Sequence, residues 1–185
     1  SYKGLGANLL HLSYCHQIAK KFGPISLITL CPNLDKVLKD DPSFKEVIYL
    51  NKFHRKFFDL FKLSNFIKKF NFENIFIFYP SVRHYLSSKL AGIKNIYHYP
   101  LLNKKNLHLV EAAKKFTEKS LNIENCPTET KILINHSKVE KYKTNNFKKI
   151  ILGISSSGPT TKWGYSNFIK LIKRLNQLDD FYFYL

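Results

Sequence analysis

Apolar positions along the chain switch repeatedly between the spacing of a helix and that of a strand. From Leu9 to Phe22 they recur about every 3.6 residues, which predicts a helix that stops at Gly23-Pro24. Residues 23–121 continue this alternation of strand-like and helix-like spacing. The predicted strands are 25–31, 46–50, 74–79 and 95–99, and the predicted helices are 33–39, 57–70, 85–91 and 108–121. Alternating strands and helices favour parallel pairing with right-handed crossovers, and therefore an α/β fold with an open, doubly wound sheet.

The alternation stops and then restarts in the last third of the chain. Residues 122–147 are polar apart from a short apolar run at 132–134, which indicates a passage between domains. A strand at 149–154, a polar loop, a helix at 165–175 and an apolar run at 181–185 follow. We therefore predict a Rossmann-like N-terminal domain in residues 1–122, an interdomain region in 123–147 and the beginning of a second Rossmann-like domain in 148–185. We expect a fragment, with the first strand of the first sheet missing and the second domain truncated.

A glycine turn opens the chain. Gly4-Leu-Gly6 stands directly before the first predicted helix, so in a doubly wound sheet it lies at the carboxyl edge, where ligands bind. Glycines at this place let the backbone approach a phosphate or a sugar oxygen closely. A two-glycine turn before a helix can also be a purely structural connection. The third glycine of the dinucleotide-binding fingerprint is replaced by Leu9, which disfavours a nicotinamide enzyme.

Composition limits the possible functions without choosing one. With 44% hydrophobic residues the chain can bury a core, and it has no apolar run of the roughly 18 residues that span a bilayer. The net charge of +17 attracts anions, but Arg stands only at 55, 83 and 174, and Lys is spread over several helices. An AT-rich genome explains this Lys usage equally well, so direct nucleic-acid binding is disfavoured. Scattered Cys15, Cys31 and Cys126, with no His spacing typical of metals, predict buried thiols, a reducing, cytoplasmic compartment and no metal.

Two kinds of candidate binding groups follow predicted strands. The loop 155–162 offers hydroxyls, a glycine and the ammonium group of Lys162, which together suit an anion, although it lacks the order of a Walker loop and a solvated linker is the alternative. Arg55, beside His54, and Arg83, beside His84, follow the strands that end near residues 50 and 79. Each Arg can clamp a carboxylate or phosphate, but either one alone is more often a solvated surface charge.

Three stretches, in order, resemble glycosyltransferase family 9, the lipopolysaccharide heptosyltransferases. The first is the turn and helix of residues 4–13 with Lys20-Lys-Phe22 behind it, and the second is the His-x-x-Glu helix that begins at His108. The third is the strand and loop of residues 150–158, followed by Lys162-Trp163 and Phe168. The resemblance implies a GT-B fold, in which two Rossmann-like domains bind the acceptor and the nucleotide sugar.

The resemblance also implies a reaction and a set of binding residues. The reaction is transfer of a sugar, typically heptose from ADP-heptose, to the lipid-linked lipopolysaccharide core or a related envelope glycan, with inversion and without metal or cofactor. The implied residues are Ser156, Ser157 and Lys162 with the nearby Thr160 and Thr161 for the donor phosphates, Arg55 and Arg83 for the acceptor, and Gly4, Gly6 and Asn8 in the glycine turn. The positive charge suits a peripheral enzyme at the anionic inner leaflet of the cytoplasmic membrane.

The chain departs from this family at Ala7. The family has an aspartate there, proposed as the catalytic base, and a methyl group cannot accept a proton. Asn8 cannot replace it, whereas His11, one helical turn on, can in principle, although local capping or packing is the more ordinary role for His11. Three hypotheses stay open: a glycosyltransferase with a relocated base or different chemistry, a catalytically silent sugar-nucleotide-binding relative, and, less favoured, a basic nucleic-acid-binding α/β protein.

Overall fold

The computed structural model describes residues 4–50, 59–100, 107–133, 148–154 and 162–185. The chain divides into two compact units, Ser1–Ile134 and Asn135–Leu185. The described elements of the first unit are α1 (Leu5–Leu9), α2 (Leu12–Phe22), β1 (Ile25–Thr29), α3 (Leu34–Leu38), β2 (Phe44–Tyr49), α4 (Leu60–Lys68), β3 (Asn74–Ile77), α5 (Val82–Leu90), β4 (Asn95–His98) and α6 (Leu109–Leu121). Those of the second unit are β5 (Lys148–Ile151), α7 (Tyr165–Leu175) and β6 (Phe181–Tyr184).

The described strands pair in parallel. β1 pairs with β2, β3 with β4, and β5 with β6. Each pair is joined through an intervening helix, as parallel neighbours require, because a hairpin cannot connect them. The predicted α/β class with parallel pairing is therefore confirmed, while the GT-B arrangement of two domains stays a prediction.

The helix predicted over 9–22 is in fact two helices. α1 ends at Leu9 and α2 begins at Leu12, with His11 as its N-cap residue. The His11 N–H donates to the Asn8 carbonyl at 3.0 Å, a tightened i to i−3 bond that interrupts the regular helical ladder. α1 also begins earlier than predicted, at Leu5, so that Gly4 is its N-cap residue and Gly6 lies within its first turn. The predicted two-glycine turn before a single helix is therefore wrong.

The core of the first unit lies on both faces of its strands. On one face, Tyr14 of α2 and Phe116 of α6 pack with Phe76, which is on β3. On the other face, Ile67 of α4 packs with Ile75, the preceding residue of β3. Successive side chains of a strand point to opposite faces, so the two clusters are separated by the sheet. A third cluster joins α2 to α3 and to the β1–β2 pair.

The chain after α6, described as far as residue 133, packs against the rest of the first unit, to which it belongs. Cys126 is buried in the core with Tyr14, and the Ser13 hydroxyl donates to the Pro127 carbonyl at 2.5 Å. The Thr130 hydroxyl donates to the Leu9 carbonyl at 2.9 Å. The predicted interdomain region 123–147 is described only to residue 133, and the predicted boundaries of the two domains stay predictions.

The three cysteines, Cys15, Cys31 and Cys126, are buried and free, as predicted for the thiols. Among the helices that the structure describes, none combines the length and the apolar character needed to cross a membrane.

Candidate functional site

The N-terminus of α1 holds the residues that resemble a glycosyltransferase motif. Gly4 has an extended backbone, with φ of −79° and ψ of 141°, which residues other than glycine also adopt. A Cβ atom built on Gly4 or Gly6 would meet no heavy atom within 4 Å. Neither the backbone angles of Gly4 nor the packing of the described residues therefore requires glycine here. Open space beside both residues is compatible with the close approach of a ligand.

Asn8 connects α1 to the carboxyl end of β1. Its Nδ2 atom donates to the Gly4 carbonyl at 2.7 Å, and its Oδ1 atom accepts from the Thr29 hydroxyl at 3.1 Å. The Thr29 hydroxyl oxygen accepts in turn from the Cys31 N–H at 3.0 Å. These bonds hold the first turn of α1 at the edge of the sheet where parallel strands end, which is where α/β proteins bind ligands. Asn8 is thus a positioning residue whose role the glycine-turn pattern alone did not indicate.

His11 is buried, with 6% of its surface exposed. Its Nδ1 atom lies 2.6 Å from the Ala7 carbonyl, which can only accept, so Nδ1 carries the proton and Nε2 is the basic nitrogen of the neutral ring. The ring meets Phe78 edge to face, with centroids 5.3 Å apart. Burial lowers the pKa of His11, and the bond to Ala7 only partly opposes this, so the ring is neutral at pH 7. The local packing that the sequence allowed is observed, whereas the His11 side chain makes no capping bond to the start of α2.

Arg83 and His84 lie in the first turn of α5, beyond the carboxyl end of β3 as predicted. Burial lowers the pKa of the half-buried Arg83, while the nearby Asp59 raises it. Burial is also the main cause that lowers the pKa of His84 to about 4, and the charge of Arg83 adds to it. His84 is therefore neutral at pH 7. The sequence singled out Arg83 and gave no sign that its neighbour His84 would be half-buried.

A cavity of about 440 Å³ brings several of these residues together. Asn8 and His11 line it near the carboxyl ends of β1 and β3, and His84 and Ser88 of α5 line it as well. Arg83, Gly4, Gly6 and Ala7 do not belong to its lining. The structure thus unites Asn8 with the candidate base His11, and it adds His84 and Ser88, which the sequence did not place together.

A part-buried contact between a histidine and an aspartate lies elsewhere in the first unit. His16 Nε2 is 2.7 Å from Asp41 Oδ2, and Asp41 also accepts from the Ser43 N–H at 2.9 Å. Burial alone would raise the pKa of Asp41, but the bonds from His16 and Ser43 outweigh it and lower this pKa below its usual value. The contact joins α2 to the chain between α3 and β2, and we assign it a structural role.

Of the predicted donor-binding residues in the second unit, only Lys162 lies within the described residues. Arg55 in the first unit, and Ser156, Ser157, Thr160 and Thr161 in the second, lie outside the described residues. Lys162 is exposed and stands two residues before Gly164, the N-cap residue of α7. The Trp163 ring packs edge to face on Phe168 at 4.9 Å, and Asn167 Nδ2 donates to the Trp163 carbonyl at 2.6 Å. These contacts fix the end of the loop, beside Lys162, on the first turn of α7.

Within the described ranges, no three or more His, Cys, Asp and Glu side chains gather in a group that could hold a metal ion. The prediction that the protein works without metal stays a prediction.

Comparison with known proteins gives a likeness of fold. No family model matches the chain, and no curated protein matches it. Among solved structures it is similar to a glycosyl transferase family 9 protein from Veillonella parvula DSM 2008, with a TM-score of 0.63 and 16% sequence identity. The similarity covers 97% of this chain and 60% of that one, so the chain spans about three fifths of the length of the structure it matches. At this identity the chain shares the fold of a family 9 glycosyltransferase.

Proposed function

We propose that the chain is part of a glycosyltransferase that moves a sugar from a nucleotide sugar to an acceptor. The observation that carries the proposal is the likeness of fold to a family 9 glycosyl transferase over 97% of the chain. The order of the three sequence motifs, at residues 4–13, 108–121 and 150–168, supports it independently. The finer proposal is heptose as the sugar, ADP-heptose as the donor, and the lipopolysaccharide core or a related lipid-linked envelope glycan as the acceptor. The enzyme would work in the cytoplasm, at the inner face of the membrane.

The proposed reaction is a single displacement with inversion. The acceptor hydroxyl oxygen attacks the anomeric carbon, the bond from that carbon to the diphosphate oxygen breaks, and the hydroxyl proton passes to a base. The negative charge that grows on the leaving diphosphate needs cations and N–H donors held in place beforehand. Lys162 and the hydroxyls of Ser156, Ser157, Thr160 and Thr161 are proposed for this side. Arg83 and Arg55 are proposed to bind an acidic acceptor sugar.

The identity of the base separates the two leading forms of the proposal. Ala7 cannot accept a proton, and Asn8 is engaged with Gly4 and Thr29. His11 has the correct tautomer, with Nε2 unprotonated, but only 6% of its surface is exposed. A relocated base at His11 therefore requires the acceptor to reach a buried ring. The second candidate function, sugar-nucleotide binding without turnover, is favoured by this burial together with Ala7.

Donor binding can be tested by titrating ADP-heptose, and ADP alone, into the longest natural polypeptide that contains this chain. The variant is Lys162→Ala, and the matched control is Lys170→Ala, another exposed lysine of the same unit. Loss of one charge-assisted contact to a diphosphate is worth roughly 1.5–3 kcal/mol, so we expect Lys162→Ala to weaken binding at least tenfold and Lys170→Ala to leave it unchanged. Equal affinities in both variants would remove Lys162 from the donor site. Absence of nucleotide binding in the parent protein would remove the whole proposal.

Turnover is tested by ADP release in the presence of a lipid-linked core acceptor. If His11 is the base, His11→Gln lowers kcat by about 100-fold or more while donor affinity is kept. If the protein binds without turnover, the parent releases no ADP above the rate in buffer, and His11→Gln changes nothing. Ala7→Asp then distinguishes a site that lacks only its base, in which ADP release appears, from one that has lost further groups, in which it does not.

A further inference from the structure

Helix α5 buries polar side chains and exposes apolar ones. Ser87 and Ser88 are fully buried, whereas Val82 is 50% and Leu90 53% exposed. Leu86, midway between the two apolar residues, is half-buried. Their spacing of four residues places Val82, Leu86 and Leu90 in one apolar stripe along the exposed side of the helix. An amphipathic helix of a globular protein normally turns such a stripe toward the core.

The packing of α5 against α4 explains the buried serines. The Ser87 hydroxyl donates to the Leu60 carbonyl of α4 at 3.2 Å. The Ser88 hydroxyl donates to the His84 carbonyl, one turn earlier in α5, at 2.8 Å. Both hydroxyls therefore have partners although they are buried, as buried polar groups require. This packing uses the serine side of α5 and leaves the apolar stripe in solvent.

Phe61 extends the exposed apolar area onto α4. It directly follows Leu60, which contacts α5, and it is 69% exposed. Among the described residues of the first unit, the three most exposed large hydrophobic side chains are Phe61, Leu90 and Val82. All three lie on this one pair of neighbouring helices. We call the outer side of the pair, with Phe61, Val82, Leu86 and Leu90, the α4–α5 face. Grouped apolar side chains on a surface mark a site of interaction, whereas single ones do not.

The α4–α5 face also carries positive charge. Lys62 and Lys68 of α4, Lys69 directly after it and Lys89 of α5 are all exposed. Neither helix contains an aspartate or a glutamate in its sequence. Asp59, just before α4, lies 3.3 Å from the Lys62 ammonium group, but its own side chain is mostly buried. Four exposed lysines beside one mostly buried carboxylate make a positive surface, which attracts anions.

Exposed apolar groups beside lysines match the surface of a membrane that contains anionic lipids. We propose that the α4–α5 face docks on such a bilayer, with Phe61, Val82 and Leu90 at the boundary between headgroups and acyl chains and the lysines among the lipid phosphates. The stripe spans eight residues of α5, about 12 Å at the helical rise, so the helix lies along the surface. A second copy of the chain fits less well, because a symmetric contact brings the same lysines together. Nucleic acid also fits less well, because aliphatic side chains give its bases no ring to stack on.

Docking through this face has a consequence for the acceptor, and this step rests on the proposed function. Helices α4 and α5 follow β2 and β3, so both helices begin at the carboxyl edge of the sheet. Phe61 and Val82 lie in their first turns, and Arg83 is the next residue after Val82. The sugar of a lipid-linked acceptor lies close to the bilayer surface. A face that holds the start of α5 on the bilayer therefore brings such a sugar near Arg83.

Sedimentation with lipid vesicles tests the face. The longest natural polypeptide that contains this chain is mixed with vesicles of phosphatidylethanolamine and about one third phosphatidylglycerol, or with neutral phosphatidylcholine vesicles. The parent is expected to bind the anionic vesicles more tightly. Phe61→Ser should weaken this binding at least about tenfold and Leu90→Ser about fivefold, because each removes apolar area from the contact. Leu133→Ser, at a position 46% exposed in the same unit, is the matched control and should change it less than about twofold.

Charge reversal separates the local surface from the charge of the whole chain. Lys68→Glu on α4 and Lys115→Glu on α6 give proteins of the same net charge, and both lysines are exposed. Because a lysine attracts anionic lipid only within about a Debye length, Lys68→Glu should weaken vesicle binding about tenfold and Lys115→Glu about twofold or less. Urea denaturation checks that each variant is folded.

A single tryptophan measures contact with lipid directly. Trp163→Phe removes the one tryptophan of the chain, and Phe61→Trp in that background places an indole on the α4–α5 face. Brominated lipids in the anionic vesicles should quench its fluorescence, because an inserted side chain reaches the acyl boundary. Leu133→Trp in the same background should keep its fluorescence.

Several outcomes would overturn the inference. These are a parent that does not bind anionic vesicles, binding that Phe61→Ser and Lys68→Glu leave unchanged, and equal quenching at positions 61 and 133. Self-association without lipid that Phe61→Ser abolishes would assign the face to a second copy of the chain. Binding of a single-stranded oligonucleotide in place of vesicles, lost in the same variant, would assign it to nucleic acid. Titration of ADP into the same protein separates this test from that of the proposed function. Nucleotide binding without vesicle binding removes the docking face alone, and vesicle binding without nucleotide binding keeps the face and removes the transferase.

Discussion

Helices α4 and α7 show how the same sequence pattern leads to different burial in the two units. Both have an apolar stripe at helical spacing with lysines opposite it. α4 buries Leu60, Leu63 and Ile67, whereas α7 buries none of its residues and leaves Ile169 47% exposed. The pattern thus predicts that a helix forms and which side is apolar. Whether the apolar side is buried depends on the other helices and strands of the unit that pack against it.

The strands repeat the contrast. Ile77 of β3 is 8% exposed because helices cover both faces of its strand, while Ile151 of β5 is 82% exposed. In the first unit, helices pack on the four described strands. In the second unit, one described helix accompanies two described strands. Among the described residues, burial of apolar area, which is the main favourable term in folding, is therefore concentrated in the first unit.

The largest expected effect comes from one isoleucine in each of these helices. Ile67→Ala removes a side chain that is 3% exposed and leaves a cavity in the core, which costs roughly 2–5 kcal/mol of unfolding free energy. Ile169→Ala makes the same chemical change at a position that is 47% exposed, and less than about 1 kcal/mol is expected. Urea denaturation of both variants measures the difference. Equal losses would mean that α7 is as well packed as α4, and the comparison between the units would fail.

Two aspartates extend the comparison to electrostatics. Bonds from His16 and Ser43 lower the pKa of the buried Asp41, and a bond from Lys148 lowers the pKa of the exposed Asp179. A carboxyl whose folded pKa lies below its unfolded value of about 4 stabilises the fold above that value, and the contribution disappears as pH falls through the folded pKa. Both carboxylates therefore act in the same pH window, but only Asp41 is shielded from solvent.

Asp41→Asn is expected to cost roughly 1–3 kcal/mol at pH 7, because it weakens a buried, charge-assisted contact to His16. The difference from the parent shrinks as pH falls below about 4, where the parent also loses the charge. Asp179→Asn changes stability little, and 0.5 M salt removes what effect it has, since solvent-exposed pairs are screened. Denaturation at pH 7 and pH 3, with and without salt, measures both variants. A loss for Asp41→Asn that is the same at both pH values would assign the effect to packing instead of charge.

The sequence was sufficient to predict the elements because helix and strand periods are local properties. Every predicted strand and helix that falls on described residues has a counterpart, although their ends differ by several residues. The break between α1 and α2 was not predicted, because apolar spacing continues across it and does not reveal the bond from the His11 N–H to the Asn8 carbonyl. The contacts of Cys126 and Thr130 with the rest of the first unit were also missed, since a polar, non-periodic stretch carries no signal of what it packs against.

For the site, sequence reasoning identified residue types better than their surroundings. It selected His11 because it stands one helical turn after Ala7, and Arg83 because it follows a strand, and the structure places Arg83 beyond the carboxyl end of β3. It did not predict how deeply His11 is buried or that His84 lines the same cavity, because burial depends on α2, α5 and β3 meeting in space. The predicted roles of Arg55, Ser156, Ser157, Thr160, Thr161 and Lys162 stay predictions.

The smallest expected effect is that of removing one tyrosine hydroxyl from each unit. The Tyr14 hydroxyl donates to the Val110 carbonyl at 2.8 Å, tying α2 to α6, and burial raises the pKa of Tyr14 to about 12. Tyr14→Phe should cost about 0.5–1.5 kcal/mol, because the part-buried bond to the Val110 carbonyl is lost while the ring keeps its packing. Tyr165→Phe, at a position 83% exposed, should stay within about 0.5 kcal/mol of the parent. Thermal and urea denaturation of the two variants measure the difference, and a cost at Tyr165 that matches that at Tyr14 would show that α7 has a buried partner of its own.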